Sequence, residues 1–141
     1  MSRQAALRAL LWLIALYHIL FGAAAFLSAS MAERLASSVF GIRLVMEPAM
    51  AYVVKVLGTY AITFGVMAAV AARDPVRHRP LLHVIVLLYA LRVVTKLVFK
   101  AQYAAGLQVA DGRIWTEAAL LLGFALGVFL LRPRPSAGSA A

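Results

Sequence analysis

Long apolar runs separated by short polar stretches dominate the chain. The first, LRALLWLIALYHILFGAAAFL, covers about Leu7 to Ser28; others cover about Ala49 to Ala72, Leu81 to Phe99 and Glu117 to Leu131. A helix that crosses a bilayer needs roughly 20 mostly apolar residues. These runs predict an all-α integral membrane protein, a bundle of four transmembrane helices within a single domain over residues 1–131. The first run is too long for the h-region of a signal peptide, about 7–15 residues, and is read as a retained span.

The polar stretches carry finer patterns. Ser30 and Glu33 have capping-box spacing, so a short helix is expected from there to Gly41. The segment Ile42-Arg43-Leu44-Val45-Met46 alternates weakly, and Pro48 precedes the second span. Between the third and fourth spans, Leu107-Gln108-Val109-Ala110 and Arg113-Ile114-Trp115 flank Asp111-Gly112, which predicts a β-hairpin. A small cap of a short helix and two or three strands is therefore expected at this end of the bundle. At the other end, the RDPVRHRP connection carries Pro75 and Pro80. It is short enough to make spans two and three antiparallel neighbours. The tail from 132 to 141 is rich in Pro, Ser, Gly and Ala and is expected to be disordered.

Composition agrees with the pattern. The 141 residues are 65% hydrophobic and 13% charged, with a mean hydropathy of +0.92, against about 25% charged in soluble domains. A soluble catalytic domain beside the spans is not expected. With no cysteine, thiol catalysis, disulfides, thiolate zinc sites and iron–sulfur clusters are excluded.

The net charge of +9 is read as topology, not as nucleic-acid binding. Arg3, Arg8, Arg73, Arg77, Arg79, Arg132 and Arg134 fall on one side of the four-span arrangement, opposed only by Asp74. Arg34, Arg43, Lys100 and Arg113 fall on the other side, opposed by Glu33, Glu47, Asp111 and Glu117. The positive-inside rule makes the first side cytoplasmic and puts both termini there.

Ionisable residues within spans cost roughly 2.5–3.5 kcal/mol for Lys or Arg at a helix centre, so they are the candidate functional groups. Lys55 lies in the second span on a face with Tyr52, Thr59 and Thr63. Arg92 lies near the middle of the third, on a face with Tyr89 and Lys96. His18, beside Tyr17, and Tyr60 lie at similar depth. The nearest acids are Glu47 and Glu117, the latter expected in the first turn of the fourth helix. Cations outnumber acids in this half. Two resolutions follow: the surplus binds an anionic or hydrogen-bond-accepting group, such as a lipid phosphate, a carboxylate or a quinone head group, or the long side chains snorkel to the interface. Arg92 is too deep to snorkel readily and is expected to face inward on Glu117, Glu47, a tyrosine or a carbonyl.

Haem held by two histidines is not expected, because His18 and His83 differ in depth by roughly 10 Å at ~1.5 Å per residue. No metal or other cofactor is expected either. Gly22 with three alanines, Gly58 with Gly65, and the GxxxG of Gly123 and Gly127 offer small surfaces for helix contact.

The motifs Tyr17-His18-Ile19-Leu20-Phe21-Gly22, Phe40-Gly41-Ile42, Leu57-Gly58-Thr59-Tyr60, Phe64-Gly65 and Arg73-Asp74-Pro75, with a central Arg92, resemble the small four-span DoxX-like and BphX-like bacterial membrane proteins. The resemblance runs over about residues 7 to 100 and more loosely over the last span. It implies a multi-pass protein of the bacterial inner membrane, and some such proteins resemble auxiliary subunits of larger membrane or redox complexes. A more distant similarity is to sterol-binding and sterol-isomerising bundles, which use intramembrane acids that this chain lacks in mid-span.

Three functions are weighed on these grounds. The first is a non-catalytic accessory subunit, in contact with other membrane proteins or with copies of itself. The second is a bundle that binds a lipid, a quinone or another amphiphile through Arg92, Lys55, Lys96, Tyr89, Tyr60, His18 and Glu117. The third is an enzyme acting on a lipophilic substrate with His18 as general base, for which no orienting partner is evident.

Overall fold

The structure, a computed structural model, describes residues 2–42 and 46–133. Six helices make it up: α1 (Arg3–Leu27), α2 (Ala29–Phe40), α3 (Pro48–Arg73), α4 (Arg79–Val98), α5 (Lys100–Leu107) and α6 (Asp111–Leu131). Four of them, α1, α3, α4 and α6, are long and apolar enough to cross a membrane. They are apolar around their whole circumference, with Leu13, Leu16, Leu57, Leu87, Leu91 and Leu130 all exposed, as expected of helices solvated by lipid. The tail from 134 onward and the centre of the alternating segment, Arg43 to Val45, lie outside the described residues.

Local chemistry sets the helix ends. The Ser2 hydroxyl accepts the Ala5 N–H at the start of α1. Pro48 opens α3, where its missing N–H costs nothing. Gly41, at φ +61°, ends α2 in the left-handed conformation.

The seam of the bundle is α1 against α3. A Cβ at Gly22 would lie 2.8 Å from the Gly58 carbonyl oxygen, and one at Gly58 would lie 2.8 Å from the Gly22 carbonyl oxygen. Gly65 approaches Ala15 and Ile19 just as closely. The absent side chains let the two backbones touch. On the other side, α4 packs along α6.

The short Asp74–His78 turn does not make α3 and α4 close neighbours along their length; few contacts join them. The buried core draws on Leu7, Leu11, Ile14, Ala68, Ala71, Leu82, Ile85 and Val128. All of these lie toward the helix ends that carry the termini and the α3–α4 turn. In that half the four helices close on one another. In the other half α3 and α4 part, and α2 and α5 gather there.

The expected hairpin is corrected. Among the described residues there is no strand, and Asp111-Gly112 begins a helix. The Asp111 carboxylate sits in the first turn of α6, where the helix dipole favours it, and it accepts from Lys100 Nζ at 2.7 Å. Ile114, Ala118, Ala125 and Val128 are buried at helical spacing, a periodicity that overrides the two-residue turn signal. The fourth long helix thus starts at Asp111, not Glu117, and Glu117 lies in its second turn. The cap of α2 is also two residues early: Ser28, not Ser30, accepts the Met31 N–H at 3.3 Å.

Candidate functional site

The gap between α3 and α4, closed behind by α1 and roofed by α2, is a groove of about 690 Å³. Its wall is mostly apolar, with Phe21, Phe40, Leu57, Phe64 and Leu88, and its polar members include Tyr17, His18, Tyr60, Thr63 and Arg92. Thr63 is spoken for, because its hydroxyl donates to the Thr59 carbonyl within α3 at 2.9 Å. Tyr60 stands at the mouth, 68% exposed.

Among the described residues buried side-chain atoms of Arg79, Glu117 and His18 have no hydrogen-bond partner, and of these residues only His18 lines the groove. His18 is 5% exposed. Its Nδ1 lies 2.9 Å from the Ile14 carbonyl one turn earlier in α1. Its Nε2 is buried and has no hydrogen-bond partner. Aromatic rings fix the imidazole: Tyr17, Phe64 and Tyr89 meet it edge to face, with ring centroids at 4.9, 4.7 and 6.0 Å. Tyr89, 1% exposed, also lies against Phe124 of α6 at 5.5 Å. It supports the site from within the core and does not line the groove.

Arg92 borders this groove and a second cavity of about 510 Å³ between α4, α5 and the middle of α6. It is exposed, ~20 Å from the start of α4 and ~9 Å from its end at 1.5 Å per residue, so the inward, paired position expected of it is not found. Among the described residues it makes no ion pair and no side-chain hydrogen bond. The acid expected beside it is engaged elsewhere. Glu117 Oε2 accepts from Lys96 Nζ at 2.5 Å and from the Tyr103 hydroxyl at 3.1 Å, and Glu117 Oε1 lies 3.8 Å from Arg113 Nε. The Lys96 ammonium also sits 3.8 Å over the Tyr103 ring.

This cluster accounts for much of the charge at the α2/α5 end. Burial raises the Tyr103 phenol above its ordinary value; Lys96 opposes this and Glu117 adds to it, so Tyr103 stays a donor at neutral pH. The Arg113 guanidinium donates to the Val39 carbonyl near the end of α2. A Cβ at Gly41 would lie 2.7 Å from that guanidinium, so Gly41 both turns the chain and makes room for the tether.

Of the residues expected to form one cationic site, the structure brings His18, Tyr60 and Arg92 to a common groove and puts Lys96 and Glu117 into a separate ion pair. Lys55 is exposed on α3 and lines neither cavity. It lies ~10 Å from the start of the helix, within reach of an interface by snorkelling. Tyr17 was adjacent to a candidate in sequence, and its position on the groove follows from its place in α1. Leu35 and Phe40 of α2 close the groove; no sequence signal places that helix over the gap. Among the described residues no carboxylate lines the groove, and no three His, Asp or Glu side chains gather to hold a metal. In comparisons with known proteins, no family model matches the chain, and no curated protein or solved structure matches it.

Proposed function

We propose that this protein is a membrane-embedded binding module that takes an amphiphile from the bilayer into the groove between α3 and α4. One observation carries the reading: a buried imidazole nitrogen without a partner and an unpaired arginine line the same apolar cleft. A buried polar group without a partner costs about 1–3 kcal/mol, and an intramembrane cation costs more. Both costs fall when a ligand head group meets them. The cleft is in the range of roughly 300–1,000 Å³ that suits one small ligand, and its apolar wall suits the tail. Lipids, quinones and similar amphiphiles are its partners.

In this reading both termini and the α3–α4 turn face the cytoplasm of a bacterial cell, and α2 and α5 form a small cap across the inner membrane. The excess of arginine at the first end supports that orientation, and the resemblance of the chain's motifs to those of DoxX-like proteins supports the setting. The test is mass spectrometry of amphiphiles retained after purification in a mild detergent. Wild-type protein is expected to retain a stoichiometric amphiphile and Arg92→Ala to lose most of it. Equal content in the two rejects the reading.

A second reading, a non-catalytic subunit of a larger assembly, is favoured by Gly123. A Cβ there would meet nothing within 4 Å, whereas one at Gly127 would meet Leu10 at 2.9 Å. Half of the GxxxG is thus left open for another helix. Native mass measurement from the host membrane distinguishes it, since a monomer without a co-purifying protein removes it.

A further inference from the structure

The two unsatisfied groups in the groove have opposite hydrogen-bonding senses. His18 Nδ1 faces a carbonyl oxygen, which can only accept. A neutral imidazole has a single N–H, so that partner assigns the hydrogen to Nδ1. Nε2 is left as a bare lone pair, buried and unpartnered, on a side chain that lines the groove. It requires a donor.

Arg92 is the reverse case. A guanidinium has five N–H donors, no acceptor and a permanent charge. Neither of the cavities it borders is lined by a carboxylate among the described residues, and Glu117 is held by Lys96. Arg92 is exposed on the span, and a cation there is stabilised most by a counter-charge, which a ligand's anionic head group would supply. A trapped water can satisfy His18 but cannot neutralise Arg92.

We infer that the groove selects a hydroxylated anionic amphiphile, a lipid-like acid whose O–H donates to His18 Nε2 and whose oxyanion accepts from Arg92. This rests on the binding function proposed above and gives it a ligand class. The remaining wall, with Phe21, Leu57 and Leu88, takes the chain, and the volume of about 690 Å³ suits one chain better than two. Neutral lipids leave Arg92 unpaired. Anions without a hydroxyl leave His18 Nε2 unpaired.

The test uses full-length protein in nanodiscs, labelled with ¹⁵N at histidine and titrated with 1-oleoyl lysophosphatidic acid, which carries a phosphate and one free hydroxyl. Its 2-O-methyl ether serves as the control. The hydroxylated probe is expected to bind and to shift the Nε2 resonance of His18. The ether is expected to bind about tenfold more weakly, the loss of one hydrogen bond, and to leave that resonance in place. His18→Phe, which keeps an aromatic ring in the clamp, is expected to bind both probes alike. Equal binding of the two probes to the wild type, with the His18 resonance unmoved, overturns the inference while the groove remains a binding site. A hydroxyl preference that survives in His18→Phe overturns it as well. If neither probe binds and Arg92→Ala leaves the co-purified amphiphile unchanged, the binding function fails and the ligand class fails with it.

Discussion

Glu117 holds Lys96, Tyr103 and Arg113 around one carboxylate, and the Lys96 and Glu117 side chains are only 12% and 17% exposed. Removing one partner of such a pair strands the other charge, at a cost of about 3–5 kcal/mol. Glu117→Ala is therefore expected to lower the midpoint of thermal unfolding in detergent, and the double variant Lys96→Met with Glu117→Leu to recover most of the loss. A double variant as unstable as the single one shows that the charge pair is not the source. At the opposite end, Asp74 Oδ1 accepts from the Arg77 and Val76 N–H groups at 3.1 and 3.2 Å. The Arg77 N–H bond foremost holds this carboxyl below its ordinary value; desolvation opposes it, and the Val76 N–H and the charges of His78 and Arg77 add to the lowering. The sign follows: the turn gains stability from the carboxylate above the ordinary range and loses it as the pH falls through the lowered value. The Val76 and Arg77 amide resonances are expected to titrate together with a midpoint below about 3.9; a midpoint at or above that contradicts the bonded turn.

At the scale of the elements, the contact between α1 and α3 depends on three glycines, while Gly123 of α6 depends on none of its surroundings. Gly22→Ala and Gly58→Ala each force a methyl group against the opposing backbone and are expected to cost about 1–3 kcal/mol. Gly123→Ala is expected to be neutral or stabilising, since alanine is the better helix former. Denaturation of the three variants in one detergent checks the order, and equal losses contradict it. The long helices were legible in the sequence because a bilayer demands about 20 apolar residues in a row, a signal that needs no knowledge of neighbours. The polar ends were less legible. Asp111-Gly112 satisfies both a hairpin turn and a helix start, and only the burial of Ile114 and Ala118 against other helices decides between them. Ser28 and Ser30 compete for one cap, and the extended backbone of Ser28 (φ −149°, ψ 121°) decides that. That His18 and Arg92 lie within long apolar helices was legible from the sequence. Their common groove was not, because α3 pairs with α1 and α4 with α6, a choice made by side-chain fit and not by the length of the turn between α3 and α4.

For the whole molecule the consequence is a division of labour along the membrane normal. One half of the bundle holds the buried core and the arginine-rich ends. The other half opens into the groove under α2, tied to α6 through Arg113 and Val39. Which half faces outward decides whether the groove is reached from the outer or the inner leaflet. In the proposed orientation the arginines lie in the cytoplasm, and the groove then opens toward the outer leaflet. The natural chain has no cysteine, so single cysteines can report the answer without background. Val76, 60% exposed in the α3–α4 turn, and Gly112, where a Cβ would meet nothing within 4 Å, lie at opposite ends. In intact cells a membrane-impermeant maleimide is expected to label Gly112→Cys and to spare Val76→Cys and Ser2→Cys. Permeabilised cells are expected to label all three. Labelling of Ser2→Cys together with Val76→Cys in intact cells inverts the orientation and moves the groove to the inner leaflet. Labelling of only one of those two breaks the four-span arrangement itself, since an even number of crossings requires the N-terminus and the α3–α4 turn to share a side.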